Sequence, residues 1–122
     1  MKRSKQARAH DFTPKERAFI LERDYKGCIF CDAKYRMDEV TEYGRGIREI
    51  MHYIPRSRGG LGIRQNAAVG CKDHHMMFDN GKYREEMQVI FRNYLSSLYP
   101  GWSEQDLVYN KWRFLENAEE RD

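Results

Sequence analysis

Long apolar runs are missing from this sequence. No stretch of its 122 residues is apolar and long enough to span a bilayer. The basic opening, Met1 to Ala9, leads into no apolar segment and does not read as a secretory signal. A cytoplasmic protein with no membrane partner is expected. Apolar residues are thin throughout, with 40% hydrophobic and 34% charged. That is a lean core for the one domain this length implies, and such chains often lean on a metal or a partner subunit. Internal repeats and low-complexity segments are absent as well. Cysteine is scarce, and the three present are an odd number. An odd count argues against a secreted disulfide framework. In a reducing compartment, metal binding or catalysis is the commoner use.

Strong net charge is also missing, since the total is only +3. The distribution is uneven. Lys2, Arg3, Lys5 and Arg8 open the chain without an acid. Arg45, Arg48, Arg56, Arg58, Arg64 and Lys72 face only Glu49 and Asp73 across residues 44–75. Residues 103–122 are acidic. A basic tail and a basic middle suit a polyanion partner, though solvated surface charge accounts for the pattern equally well.

Residues 1–11 read as a basic flexible tail, and 12–122 as a single α+β domain. Thr13-Pro14-Lys15-Glu16 is a helix start with a capping box, and Ala18, Phe19, Ile20 and Leu21 give that helix its apolar face. Gly27 stops it in the left-handed conformation. Residues 32–46 read as a loop with at most a short strand. Ile47 to Ile54 is a strand, with Ile50, His52 and Ile54 on one face and Glu49, Met51 and Tyr53 on the other. Residues 55–62, with Pro55 and three glycines, form a loop. Ala67 to Val69 is a short return strand, and Cys71 to about Asp79 a short helix. Residues 82–98 carry Met87, Ile90, Phe91, Tyr94, Leu95 and Leu98 at helical spacing. After Pro100-Gly101, Ser103 and Asp106 start a last helix to about Glu119, with Leu107, Val108, Trp112 and Leu115 inward. The C-terminal part, 82–122, therefore reads as two helices.

Cys28-x-x-Cys31 puts two thiolates on one side of a tight turn. Cys71-x-x-His74 puts a thiolate and an imidazole on one face of a helix. Three sulfurs and one ring nitrogen form a closed tetrahedral set, as structural zinc sites do. The histidine explains the odd cysteine count. Unligated, reduced cysteines are the alternative, and they would make a chelator harmless to the fold.

Between the two pairs lie Met51-His-Tyr-Ile-Pro-Arg-Ser-Arg-Gly-Gly60, then Asn66, then Cys71-Lys-Asp-His-His75. This order resembles the HNH endonuclease family over residues 47–81, and with Cys28 and Cys31 its zinc-bound, treble-clef-like variety. Tyr99-Pro-Gly-Trp102 and Leu107 to Trp112 are similar to small phage and prophage members. The resemblance implies a ββα-metal core and DNA as substrate. It implies hydrolysis with Mg²⁺ or Mn²⁺, leaving 5′-phosphate and 3′-hydroxyl ends. A homodimer or a phage protein partner is compatible with it. His52 falls on the general base, Asn66 on the middle Asn and His75 on the final His. His75 would bind the catalytic ion, and Asn66 would either ligate it or fix the loop through the backbone. Neutral imidazole suits a base near pH 7. His74 and His75, about 100° apart on a helix, can serve different metals. Arg56, Arg58 and Arg64 are candidate DNA contacts, with the glycines allowing close backbone approach.

Met51 departs from the family, which has a metal-ligating Asp or His just before the base. A thioether is a poor ligand for hard cations. Glu49, on the same strand face, can substitute, with Asp79 a second candidate. A weakly held metal would give a slow nuclease. A dead site would leave a DNA-binding or regulatory protein on the same fold. A zinc-bound protein-interaction module is a third reading.

Overall fold

Thr13 opens the first helix, α1 (Pro14–Arg23). Its Oγ1 accepts from the Glu16 amide at 3.1 Å, and proline occupies the first turn. In this computed structural model, which describes residues 8–110, the capping box is only half made. The Glu16 carboxylate bonds Arg64 Nε at 2.9 Å instead of returning to the cap. The helix does not end on a left-handed Gly27 as expected. Tyr25 (φ 55°) and Lys26 (φ 56°) take that conformation, and the Lys26 amide reaches back to the Leu21 carbonyl at 2.7 Å.

Cys28 caps the short helix α2 (Ile29–Asp32), its Sγ accepting from the Cys31 amide. The segment expected as loop and strand holds a 3₁₀ turn, Met37–Glu39, and a one-turn helix, α3 (Glu42–Arg45). Thr41 caps α3. It also donates from its amide and hydroxyl to Asp73, at 2.6 and 2.8 Å.

Strands β1 (Arg48–His52) and β2 (Ala67–Cys71) pair antiparallel, with Met51 opposite Ala68 and His52 opposite Ala67. The pairing ends at His52 because Asn66 takes over the next backbone groups. The Tyr53 amide donates to the Asn66 carbonyl at 2.8 Å. The alternation holds within β1, while Ile54, expected on the face of Ile50 and His52, lies past the strand's end and packs on the main core with Met51 and Tyr53. Ile50 packs toward Ile20, Ala67 and Val69 beside α1. Met51 and Tyr53 join Phe30, Phe78, Phe91 and Leu95 in the main core.

Helices α4 (Lys72–Asn80) and α5 (Arg84–Leu98) close that core. Phe30, Phe78 and Phe91 are fully buried and their rings touch one another. Truncating one such ring costs about 3–5 kcal/mol. A buried polar knot ties α1 to the sheet and α5. Asp24 accepts from Arg23, from the Val69 amide at 2.8 Å and from the Tyr94 hydroxyl. Every oxygen of that buried carboxylate is thus used, as its desolvation requires.

The last helix expected from Ser103 is not formed over the described residues. A 3₁₀ turn, Glu104–Leu107, leads into an extended Val108 bridged to Gly60. The Leu107 carbonyl accepts from Leu61 and the Tyr109 amide donates to Gly59, both at 2.8 Å. Those backbone groups serve the loop and cannot serve a helix. Trp112 and Leu115, expected on that helix, lie outside the described residues, as do residues 1–7 of the expected tail. Residues 8–11, expected to be flexible, pack against the sheet and loop, and His10 is only 8% exposed. Among the described residues no helix is long and apolar enough to cross a membrane.

Candidate functional site

The start of α4 sets two histidines in different surroundings. His74, fully buried, turns Nδ1 toward three sulfurs, at 3.5 Å from Cys28, 3.5 Å from Cys31 and 3.3 Å from Cys71. Cys31 and Cys71 are 3.9 Å apart, and the four ligand atoms lie within 4.8 Å of one another. A tetrahedral ion with Zn–S near 2.3 Å and Zn–N near 2.0–2.1 Å sets S···S edges of about 3.8 Å and S···N edges of about 3.5 Å. The observed spacings fit. His74 Nε2 donates to the Tyr35 carbonyl at 2.7 Å, which leaves Nδ1 as the lone-pair nitrogen. The Cys71 thiol is pushed up to about 12 by its hydrogen bond with Cys28 and by burial. Three thiols this close ionise together only beside a cation. The residues form a Cys₃His group suited to structural zinc.

His75, the next residue, faces the other way. Its Nδ1 lies 3.0 Å from Glu49 Oε1 and its Nε2 3.1 Å from Asp79 Oδ2. Both neighbours are carboxylates, so each ring nitrogen of His75 faces an acceptor oxygen.

A cleft of about 510 Å³ opens beside this group, lined by His52, Arg56, Arg58, His75, Asp79 and Arg84 among others. It brings together His52, His75, Arg56 and Arg58, all singled out from the sequence. Glu49 touches His75 but does not line the cleft. Arg64 is not in it. That side chain is ion-paired with Glu16 and stacked on the Phe19 ring at 3.6 Å. Asn66 is fully buried. Its Oδ1 accepts from the Ile54 amide at 2.8 Å, and its Nδ2 donates to the Ile54 and Leu61 carbonyls at 3.1 and 2.9 Å. It thereby clasps both ends of the glycine-rich loop.

His52 Nε2 lies 3.0 Å from the His10 carbonyl. A carbonyl only accepts, so Nε2 carries the proton and Nδ1 keeps the lone pair. The Phe12 ring packs on the imidazole, 4.3 Å between centroids. Burial lowers the His52 pKa below its ordinary 6.5; the His10 hydrogen bond opposes this and Arg56 adds to it. The imidazole is thus neutral at pH 7.

The His10 carbonyl belongs to a strap that the sequence reading missed. His10 Nδ1 donates to the Gly60 carbonyl at 2.6 Å, the Gly62 amide donates to Ala9 at 2.8 Å, and Asp11 pairs with Arg56. Gly62 makes the crossing feasible, because a Cβ there would fall 2.3 Å from the Asp11 carbonyl carbon. Gly62 was the only hint in the sequence, and it does not say which segment approaches. Arg84 was missed for a similar reason. It lies past the motif and reads as an ordinary helix-start residue.

Fold and site together define an α+β, HNH-like ββα core carrying a Cys₃His group. No protein-family model matches the sequence, and no curated protein matches it. Among solved structures, the type IV phosphorothioation-dependent restriction endonuclease ScoMcrA is similar, with a TM-score of 0.59 and 21% identity over 80% of this chain. The match covers 19% of that protein. It is a likeness of fold.

Proposed function

We propose that this domain is a metal-dependent DNA endonuclease with His52 as general base. The observation that carries this reading is one cleft holding a neutral imidazole, the His75–Asp79 pair and the arginines of the loop. His52 Nδ1 takes a proton from water. The water oxygen bonds to phosphorus, the P–O3′ bond breaks, and the leaving oxygen takes a proton from solvent. The products are a 5′-phosphate and a 3′-hydroxyl.

The His75 and Asp79 donors suit Mg²⁺ or Mn²⁺. Bonds near 2.0–2.1 Å in an octahedron set adjacent ligand atoms about 3 Å apart, and Nε2 and Oδ2 are 3.1 Å apart. Such an ion would stabilise charge on the phosphate and the leaving oxygen. In this reading Glu49 accepts from His75 Nδ1–H and orients the ring, since it stands outside the cleft. Asn66 fixes the loop. Arg56 and Arg58 hold DNA phosphates, whereas Arg64 does not. The restriction activity of the similar protein is in keeping with a DNA substrate.

A second reading is a DNA-binding or regulatory protein that does not cut. It is favoured by Met51, which is fully buried and packs its thioether over Gly70. No carboxylate therefore comes from that position. Supercoiled plasmid with Mg²⁺ or Mn²⁺ separates the two. Nicking by the wild type, reduced at least about 100-fold in His52→Ala, is expected of a general base. DNA retardation without nicking in either metal would leave only the second reading.

A further inference from the structure

We propose that Arg84 is a phosphate clamp, gripping the phosphodiester at the cut from the α5 side of the cleft. The proposal rests on the nuclease reading and adds a residue outside the resemblance that led to it. Arg84 opens α5 and lines the same cleft as His52, His75 and Asp79. Its guanidinium is held in place. The Phe78 ring lies under it at 4.3 Å, and Nη1 donates to the Phe78 carbonyl at 2.7 Å. Nη2 is buried and has no hydrogen-bond partner among the described residues.

A buried donor without an acceptor costs about 1–3 kcal/mol, more when charged, and is tolerated where function needs it. Arg36 Nε is a second such atom, but Arg36 covers the Tyr83 ring at 3.5 Å and bonds Glu39 at an exposed position. Both guanidiniums lie over an aromatic ring, but Arg84 lines the cleft and Arg36 does not. Arg58 lines the same cleft, so a group entering it meets positive charge from the loop and from α5. The complementary ligand is a small oxyanion placed by planar two-pronged hydrogen bonds, and a phosphodiester supplies one.

The test compares zinc-loaded wild type, Arg84→Gln and Arg84→Lys. One arm measures equilibrium binding of a short fluorescent duplex across a salt series without divalent cation. The other measures nicking of supercoiled plasmid with Mn²⁺, resolved into kcat and KM. Arg84→Gln should reduce the salt slope by about one, as for one lost phosphate contact. Its kcat should fall about 100-fold, in line with loss of one oriented donor to developing charge. Arg84→Lys should recover the slope but not the full kcat, because a point charge lacks the planar fork. If Arg84→Gln melts early, Arg84→Lys carries the test: wild-type slope with kcat at least about tenfold lower supports the clamp. A wild-type slope and kcat in either folded variant overturns it. If no protein nicks plasmid yet the slope falls in Arg84→Gln, the phosphate contact stands and the nuclease reading fails.

Discussion

His74 and His75 are chain neighbours with opposite surroundings. His74 is sealed among three sulfurs and a backbone carbonyl. His75 stands between two carboxylates at the edge of an open cleft. The first environment is soft, closed and dry, and suits an ion that never meets substrate. The second is hard, oxygen-rich and open, and suits an ion that keeps coordination positions for water and phosphate. One residue, about 100° of helix rotation, thus separates a closed sulfur-rich group from an open carboxylate-flanked one. The contrast can be tested by attacking each side alone.

The largest effect belongs to the closed side. Cys71→Ser, or a strong zinc chelator, should abolish the cooperative thermal melt followed by circular dichroism. Structural zinc binding is worth roughly 10–16 kcal/mol in small zinc domains, comparable to an entire folding free energy. A chelated protein that melts as before would mean that the cysteines bind no ion that matters.

On the open side the effects should be local. Asp79→Asn should weaken Mn²⁺ binding, read by calorimetry, more than Glu49→Gln does. The latter is expected to cost about 10-fold, the low end for a residue that only orients a ligand. The reverse order would make Glu49 the ligand. Neither substitution should alter zinc content.

Smaller again is Gly62→Ala, which pushes the strap away from the loop without touching His52. Nicking should fall several-fold, while the melt shifts by only a few degrees. Activity equal to wild type would mean that the His10 carbonyl does not hold the base in place.

The mildest probe is pH. Burial lowers the His52 pKa, so the neutral base persists below pH 6.5 and is lost only as pH falls through the lowered value. The nicking rate should be flat from pH 8 to 6.5, then drop at most about tenfold per unit below the folded pKa. The same shift makes neutral His52 favour folding above pH 6.5, a contribution lost on acidification. A rate already halved at pH 7 would contradict a depressed pKa.

These contrasts follow how the chain could be read. The Cys₃His group was legible because its spacing lies within two short local turns. That His52, Arg56, Arg58 and His75 share one cleft follows the order of the motif. Helix starts at Thr13 and Cys71 and the strand alternation around Met51 rest on nearest-neighbour rules, and they appeared where expected. What escaped is long-range. The strap over His52 depends on residues 9–12 meeting residues 56–62. The helix start expected at Ser103 is not formed over the described residues because Leu107 and Tyr109 give their backbone groups to Leu61 and Gly59. That Arg64 pairs with Glu16 outside the cleft was not legible, because charge alone does not reveal such a partner. The left-handed pair Tyr25 and Lys26 was missed because glycine is the usual signal and Gly27 stands beside them.

The Gly60–Val108 bridge has a consequence for how the molecule is made. A ribosome releases the chain from its N-terminus at about 5–20 residues per second, so both zinc ligand pairs emerge well before Val108 does. The metal knuckle can close while the glycine-rich loop still lacks the segment that pins it. Closing that long-range contact must also offset the entropy of the chain between. The order of synthesis therefore delivers the Cys₃His group first and the pinned loop that borders the cleft last.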